Sequence, residues 1–255
     1  MGLLAIIGGS GSGYLVALRA AAPQTPAKEL PETPYGFASA PIRRLRIAGR
    51  EVLFLPRHGV EHGIPPHRVN YRANLWALKD SGADRVVALA AVGGIAPGLG
   101  PGRFAVPHQV IDYTHGRDQS FHEGGASGVV HVDFTEPYCG ELRAQLLAAC
   151  ADAGVPAAAL AVYGATQGPR LETAAEITRM ERDGCDLVGM TGMPEAALAR
   201  ELDLCYATLA FVVNWAAGKG QGPIRMDEVE GHLSDCMGGV EVILAALVGP
   251  RAAAH

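Results

Sequence analysis

Residues 186–214, DLVGMTGMPEAALARELDLCYATLAFVVN, place a hydroxyl, a flexible thioether and an amide at the ends of two apolar strands. The first strand runs out at Gly189-Met190-Thr191-Gly192, a helix starts behind Pro194, and the second strand ends in the polar Asn214. Read from spacing alone, the two strands finish side by side around one crevice, which is where open α/β sheets bind ligands. Thr191 and Asn214 offer neutral donors and acceptors, a set suited to an anion and a planar heterocycle.

Other segments add to this chemistry. LPRHGVEHG sets Arg57 and His58 directly behind an apolar strand. A guanidinium fork suits phosphate and the imidazole adds a hydrogen bond. The competing reading, a surface salt bridge beside a core histidine, gives way to the strand-end position and to the glycines flanking Val60–His62. GGSGSG after the first strand has the wrong spacing for a dinucleotide fingerprint, because Tyr14 stands where the third glycine belongs, and it lacks a P-loop lysine. What remains is close backbone approach and the Ser10 hydroxyl, an anion site or a plain tight turn. AAVGG at 90–94 ends a strand where Ala90 and Ala91 supply only backbone N–H groups. In TQGPRLET, Pro169 fixes an extended approach and Glu172 or Thr173 caps the following helix. Asp112, His115 and Asp118 match no metal-ligand spacing, so a hydrated loop is expected and no metal site is assigned. No Ser-His-Asp order or paired-carboxylate pattern stands out.

These groups need a scaffold that ends many strands at one edge. Short apolar strands at 3–7, 42–47, 51–55, 85–92, 106–113 and 160–164 alternate with helices at 69–80, 141–152, 173–182 and 226–248. The alternation implies an α/β fold with a central, mostly parallel sheet flanked by helices, in one domain spanning residues 1–255. A polar loop at 114–137 is longer than most connections, as functional or partner-engaged loops are. A net charge of −5 argues against a nucleic-acid or membrane-surface binder. Five cysteines without CxxC spacing suggest reduced, buried thiols and a cytoplasmic protein. The start of the chain does not read as a signal peptide, and no apolar run reaches the ~18 residues of a membrane span.

Taken in order, AIIGGSG, PRHG, VNYRANLWALKDSG, AVGGI, PHQVIDYT, TQGPRLET and GMTGMPEAALARE resemble the methylthioadenosine phosphorylase branch of the trimeric purine nucleoside phosphorylase family, over about residues 4–248. The resemblance implies a nucleoside phosphorylase fold, a homotrimer with pairing into hexamers left open, and reversible phosphorolysis of a purine nucleoside. Inorganic phosphate would be the co-substrate, and no cofactor is implied. Phosphate would be held by Ser10, Arg57, His58, the backbone at Ala90 and Ala91, and Thr191. Met190 would sit against the ribose and Leu171 against the base. His131 would reach the 5′ end from the neighbouring subunit, with Met226 and Val229 lining an apolar 5′ pocket. Glu172 joins Met226 and Val229 as a specificity candidate, and Trp215 and Ala216 join Asn214 at the base.

The departures from the branch bear on substrate. Its Asp-x-Asp at the base site is Asn214-Trp215-Ala216 here. Adenine presents an amino donor and needs carboxylates, whereas hypoxanthine presents a carbonyl that the Asn214 amide can meet. Ala90 stands where relatives offer Thr or Asn to phosphate, and Ser10 stands for Thr. The expectation is therefore a phosphorylase for a 5′-methylthio nucleoside of hypoxanthine, with Asn214 and His58 as catalytic groups. The alternatives are an enzyme for inosine or guanosine, one for methylthioadenosine, and a nucleoside-binding protein without turnover. A nicotinamide oxidoreductase is a more distant one.

Overall fold

The computed structural model describes residues 2–11, 29–125 and 128–249. Ser12, Gly13 and Tyr14 of the glycine-rich stretch lie outside them. The strands are β1 (Leu3–Gly8), β2 (Glu32–Thr33), β3 (Gly36–Phe37), β4 (Arg43–Ile47), β5 (Arg50–Pro56), β6 (Ala83–Gly94), β7 (Phe104–Ala105), β8 (Gln109–Asp112), β9 (Ala157–Ala158), β10 (Val162–Ala165), β11 (Leu187–Gly189) and β12 (Cys205–Trp215). The helices are α1 (Tyr71–Asp80), α2 (Gly140–Asp152), α3 (Ala174–Arg182), α4 (Gly192–Glu201) and α5 (Met226–Val248).

Ten strands form one mixed, mostly parallel sheet along the path β4-β5-β1-β6-β11-β10-β8, with β12 on the other edge of β6. Side chains alternate between its two faces, as the pleat requires. On β6, Val86, Ala88, Ala90 and Val92 join the layer packed under α1 and α4, with Leu75, Leu78 and Leu198. Val87 and Leu89 point the other way, toward Leu142 and Leu146 of α2 and Val240, Ile243 and Leu244 of α5. A strand covered on both faces needs an unbroken apolar run, which is what residues 209–213 of β12 supply. A smaller cluster sets Ile177 and Met180 of α3 against Val188.

The sheet forks at β6. Strand β1 pairs in parallel with one edge of β6 as far as Ala88. Strand β11 takes over that edge from the opposite direction at Gly93 and Gly94. Between them a short length of β6, around Ala90 and Ala91, is paired with β12 on its other edge only, and the cleft described below opens on the unpaired edge. The expectation that β11 and β12 finish side by side is corrected: β6 separates them, β12 parallel to it and β11 antiparallel. The chain after Gly189 doubles back, and this brings Thr191 to the cleft.

Local signals behave as the residues dictate. Ala48 and Gly49 both have positive φ, the two-residue turn that matches strand twist between β4 and β5. Asn70 caps α1 by accepting from the Ala73 N–H. The strand expected at 106–113 is shorter, with Val106 N–H donating to Ala158 O outside the ladder. Two expectations fail. Cys150, Cys185 and Cys236 are free and buried, but Cys139 and Cys205 form a disulfide that ties the start of α2 to the start of β12. Their Cα atoms lie 5.1 Å apart although 66 residues separate them in sequence, a proximity that only the folded sheet creates. Helix α5 is long and apolar enough to cross a membrane by length and composition. Here it lies on the sheet, burying Cys236, Met237, Val240, Ile243 and Leu244.

Candidate active site

A cleft of about 560 Å³ opens at the fork, walled by the ends of β1, β5, β6, β11 and β12 and by the first turns of α5. One end is an anion grip. Arg57 follows β5, with its N–H bonded to Gly8 O, and its side chain is only 1% exposed. Its Nε and Nη2 donate to the Glu195 carboxylate at 2.7 and 2.9 Å, and Nη1 donates to Leu89 O at 3.2 Å. Tyr206 donates to the same carboxylate at 2.9 Å. Burial alone would lower the Arg57 pKa, but the Glu195 charge and hydrogen bonds override it, and the guanidinium stays charged. Of its five N–H groups, one on each terminal nitrogen is left to meet an oxyanion.

His58 is pushed down to about 4, first by burial and then by Arg57. It is therefore a neutral imidazole near pH 7. Its Nδ1 lies 2.9 Å from Ile64 O; a carbonyl only accepts, so Nδ1 carries the proton and Nε2 is left as an acceptor. Ser10 follows β1, and a side chain on Gly9 would meet Leu89 O at 2.8 Å and Arg57 Nη1 at 3.1 Å, so only glycine lets this turn pass so closely. Thr191 is buried at the N-terminus of α4 and its hydroxyl makes no capping bond to that helix. Ala90 and Ala91 line the same corner. The sequence-expected phosphate set thus converges in one place.

The other end is made by two loops and a bulge. The β12–β6 register shifts between Val212 and Asn214, and the bulge puts Asn214 on the cleft wall. One Asn214 amide N–H donates to Trp215 O at 2.8 Å; this fixes the carboxamide plane and leaves the second N–H and the carbonyl to a ligand. Thr173, not Glu172, caps α3, in a reciprocal capping box with Glu176. Glu172 is released to the cleft, where Thr166 donates to it at 2.6 Å. Leu171, Met190, Met226 and Val229 line the remainder, as expected.

Trp215 and Ala216 do not line this cleft. Trp215 packs against Gly100 and Gly220, where added Cβ atoms would approach its side chain to 2.7 and 3.1 Å. Ala216 is 2% exposed in the cluster around Ile177 and Val188. Both stand behind the wall, and of β12 Val213 and Asn214 line the cleft. His131 is exposed in its loop and touches no part of the cleft of its own chain. Asp112, His115 and Asp118 do not converge: Asp112 accepts from Thr114 N–H, and Asp118 pairs with Arg72. A second hollow of about 640 Å³ lies beyond residues 166–172, but its Arg170 and Glu176 already pair with each other.

Three residues of the site escape a reading from sequence. Glu195 and Tyr206 look like an ordinary first-turn acid and an ordinary core aromatic. His62 lies 3.4 Å from Ser10 Oγ with its ring centroid 4.7 Å from that of His58, and its only signal was a second histidine between two glycines.

The cleft sets a buried guanidinium at one end and an amide and a carboxylate at the other, and the chain belongs to the phosphorylase superfamily, matched over residues 3–248. It is 53% identical to a probable S-methyl-5′-thioinosine phosphorylase of Pseudomonas syringae pv. tomato, across 97% of this chain and 99% of that protein. It is 45% identical to the 6-oxopurine nucleoside phosphorylase of Pyrococcus furiosus, across 89% of this chain and 84% of that one. A methylthioadenosine phosphorylase from Schistosoma mansoni, solved with adenine, superposes with a TM-score of 0.89 at 31% identity, covering 96% and 90% of the two chains.

Proposed function

We propose that this enzyme cleaves S-methyl-5′-thioinosine with phosphate, giving hypoxanthine and S-methyl-5-thioribose 1-phosphate. The observation that carries the reading is that a carboxylate, Glu172, and a carboxamide, Asn214, both line the cleft. Hypoxanthine offers an N1–H donor to the carboxylate and a carbonyl to the amide; adenine has a bare N1 and a donor where the carbonyl would be. Each mismatched buried group costs about 1–3 kcal/mol, so a preference of roughly ten- to a few hundredfold for the 6-oxopurine follows. Met226, Val229 and Leu233 give the 5′ end an apolar rim, which suits a methylthio group better than a hydroxyl. The names of the Pseudomonas and Pyrococcus relatives support the two halves of this assignment.

In this reading the C1′–N9 bond breaks first and the base leaves with the bonding electron pair. N7 takes a proton from water, and the Asn214 carbonyl accepts a hydrogen bond from it. Phosphate on Arg57, His58, Ser10 and Thr191 stabilises the cationic sugar, one of its oxygens then bonds to C1′, and the proton that hydrogen phosphate gives up restores the water that protonated N7. Catalysis comes from positioning and electrostatics, with no cofactor. The enzyme works as a single catalytic domain in a homotrimer, where Val129 and Val130, both exposed in the single chain, would meet the neighbour and bring His131 to its 5′ pocket. Comparing phosphate-dependent base release from S-methyl-5′-thioinosine, methylthioadenosine, inosine and guanosine tests the assignment. Faster release of adenine than of hypoxanthine from the methylthio pair would reject it.

A further inference from the structure

The long loop between β8 and α2 is fastened at two points. Arg72 of α1 pairs with Asp118 at 2.6 Å and Glu123 at 2.7 Å. Glu201, at the end of α4, accepts from Ser120 Oγ at 2.8 Å and Phe121 N–H at 2.7 Å. Beside these anchors Arg117 turns inward, with its guanidinium carbon 5.4 Å from the centre of the Tyr71 ring. Its Nη2 donates to Thr166 O at 3.1 Å and Gln167 O at 2.8 Å. Its Nη1 donates to Met190 O at 2.9 Å, Met193 O at 2.5 Å and Tyr71 Oη at 3.2 Å, and Nε reaches Gln167 Oε1 at 3.2 Å.

The four carbonyls belong to two segments that part just past the end of the β10–β11 ladder, after Ala165 pairs with Gly189 and Thr166 N–H donates to Gly189 O at 2.8 Å. Thr166 and Gln167 lead into Pro169, Leu171 and Glu172, the base wall. Met190 and Met193 bracket Thr191, the sugar-and-phosphate wall. The segments meet closely, since a Cβ on Gly168 would lie 2.5 Å from Met190 Sδ. Arg117 itself lines no part of the cleft. We propose that Arg117 is a positioning residue for the phosphorolysis reaction: it sets the spacing between the base wall and the sugar-and-phosphate wall, and so the alignment of C1′ with the attacking oxygen. This inference rests on the nucleoside phosphorylase reading. A planar fork with five fixed donors can bridge four carbonyls in two directions, and a lysine point charge cannot. A displacement of about 1 Å between reacting groups costs on the order of 100-fold in rate.

Arg117→Lys keeps the charge and most of the stem and is the deciding variant; Arg117→Ala with added guanidinium ion is the second. For Lys, nucleoside kcat/KM falls at least about 30-fold while binding of hypoxanthine alone, which needs only one wall, stays within about threefold. The ¹³C-methyl signal of Met190, assigned through Met190→Leu, shifts and broadens, whereas that of Met237 in the opposite core layer does not. Guanidinium restores at least about tenfold of the loss in the Ala variant. A Lys variant that turns over within about threefold of the parent overturns the proposal, and so does loss of hypoxanthine binding in step with a shifted Met237 signal, which marks general damage. Absence of turnover by the parent on all four nucleosides refutes the functional reading instead, and the Met190 signal then decides on Arg117: unmoved, it overturns the proposal.

Discussion

The two ends of the cleft are built on opposite principles. At the phosphate end, Arg57 and Glu195 are essentially inaccessible, 1% and 0% exposed, and every main contact is made before a ligand arrives. At the nucleoside end, Leu171 and Met226 are 43% and 60% exposed, on loop and helix positions with few commitments. An anion of fixed shape can be met by a grip fixed within the core. A base and a 5′ substituent that differ between relatives are met by a rim that can change without refolding the sheet. The comparison predicts that damage at the first end reaches both stability and activity, and damage at the second reaches activity alone.

The strongest way to break this comparison is Glu195→Ala. It leaves the buried Arg57 cation without its partner, and stability should fall by about 3–5 kcal/mol with phosphate affinity lost as well, measured by urea midpoint and phosphate titration. A variant as stable as the parent would show that the grip is not part of the core. Next comes pH. The His58 imidazole titrates near 4 when folded and near 6.5 when unfolded. Above pH 6.5 it is neutral in both states; between 6.5 and 4 the unfolded chain takes the proton first, so stability declines as pH falls, by about 3 kcal/mol in all. The pH dependence of the urea midpoint checks this, and His58→Gln should flatten it. Saturating phosphate should also flatten it, because a dianion favours the imidazolium.

At the opposite end, Asn214→Ala should lower turnover of 6-oxopurine nucleosides by about 100-fold with only a small change in melting temperature. Unchanged turnover removes Asn214 from the mechanism. Asn214→Asp is the cleaner swap toward 6-amino nucleosides, since an added carboxylate at Ala216 would be buried beside Ile177 and Val188 instead of facing the base. The smallest effect is expected at Val229→Ser, which should cut the preference for a methylthio over a hydroxyl 5′ end by about tenfold in a competition assay.

Much of this contrast was legible in the residues. Ser10, Arg57 and Thr191 each stand within three residues of the end of an apolar run, and the period of those runs locates strand ends well. Glu195 was hidden because a glutamate in the first turn of a helix is what any helix carries, and Tyr206 because its hydroxyl partner is 11 residues away on another element. The bulge after Val212 explains why Trp215 and Ala216 were misplaced: one extra residue changes which side chain faces the ligand, and no pattern of residue types marks it. Arg117 was hidden in a polar loop whose length marked it as functional without saying which residue enters. The Cys139–Cys205 bridge depends on the pairing of distant segments and left no trace in spacing.

The bond between Arg57 and Glu195 has a further effect on how the enzyme meets its co-substrate. One buried cation is offset by one buried anion and the adjacent imidazole is uncharged, so the empty grip holds no surplus positive charge. On the proposed reading, phosphate would be met here at short range by oriented N–H and O–H groups. Its capture should accordingly depend only weakly on ionic strength.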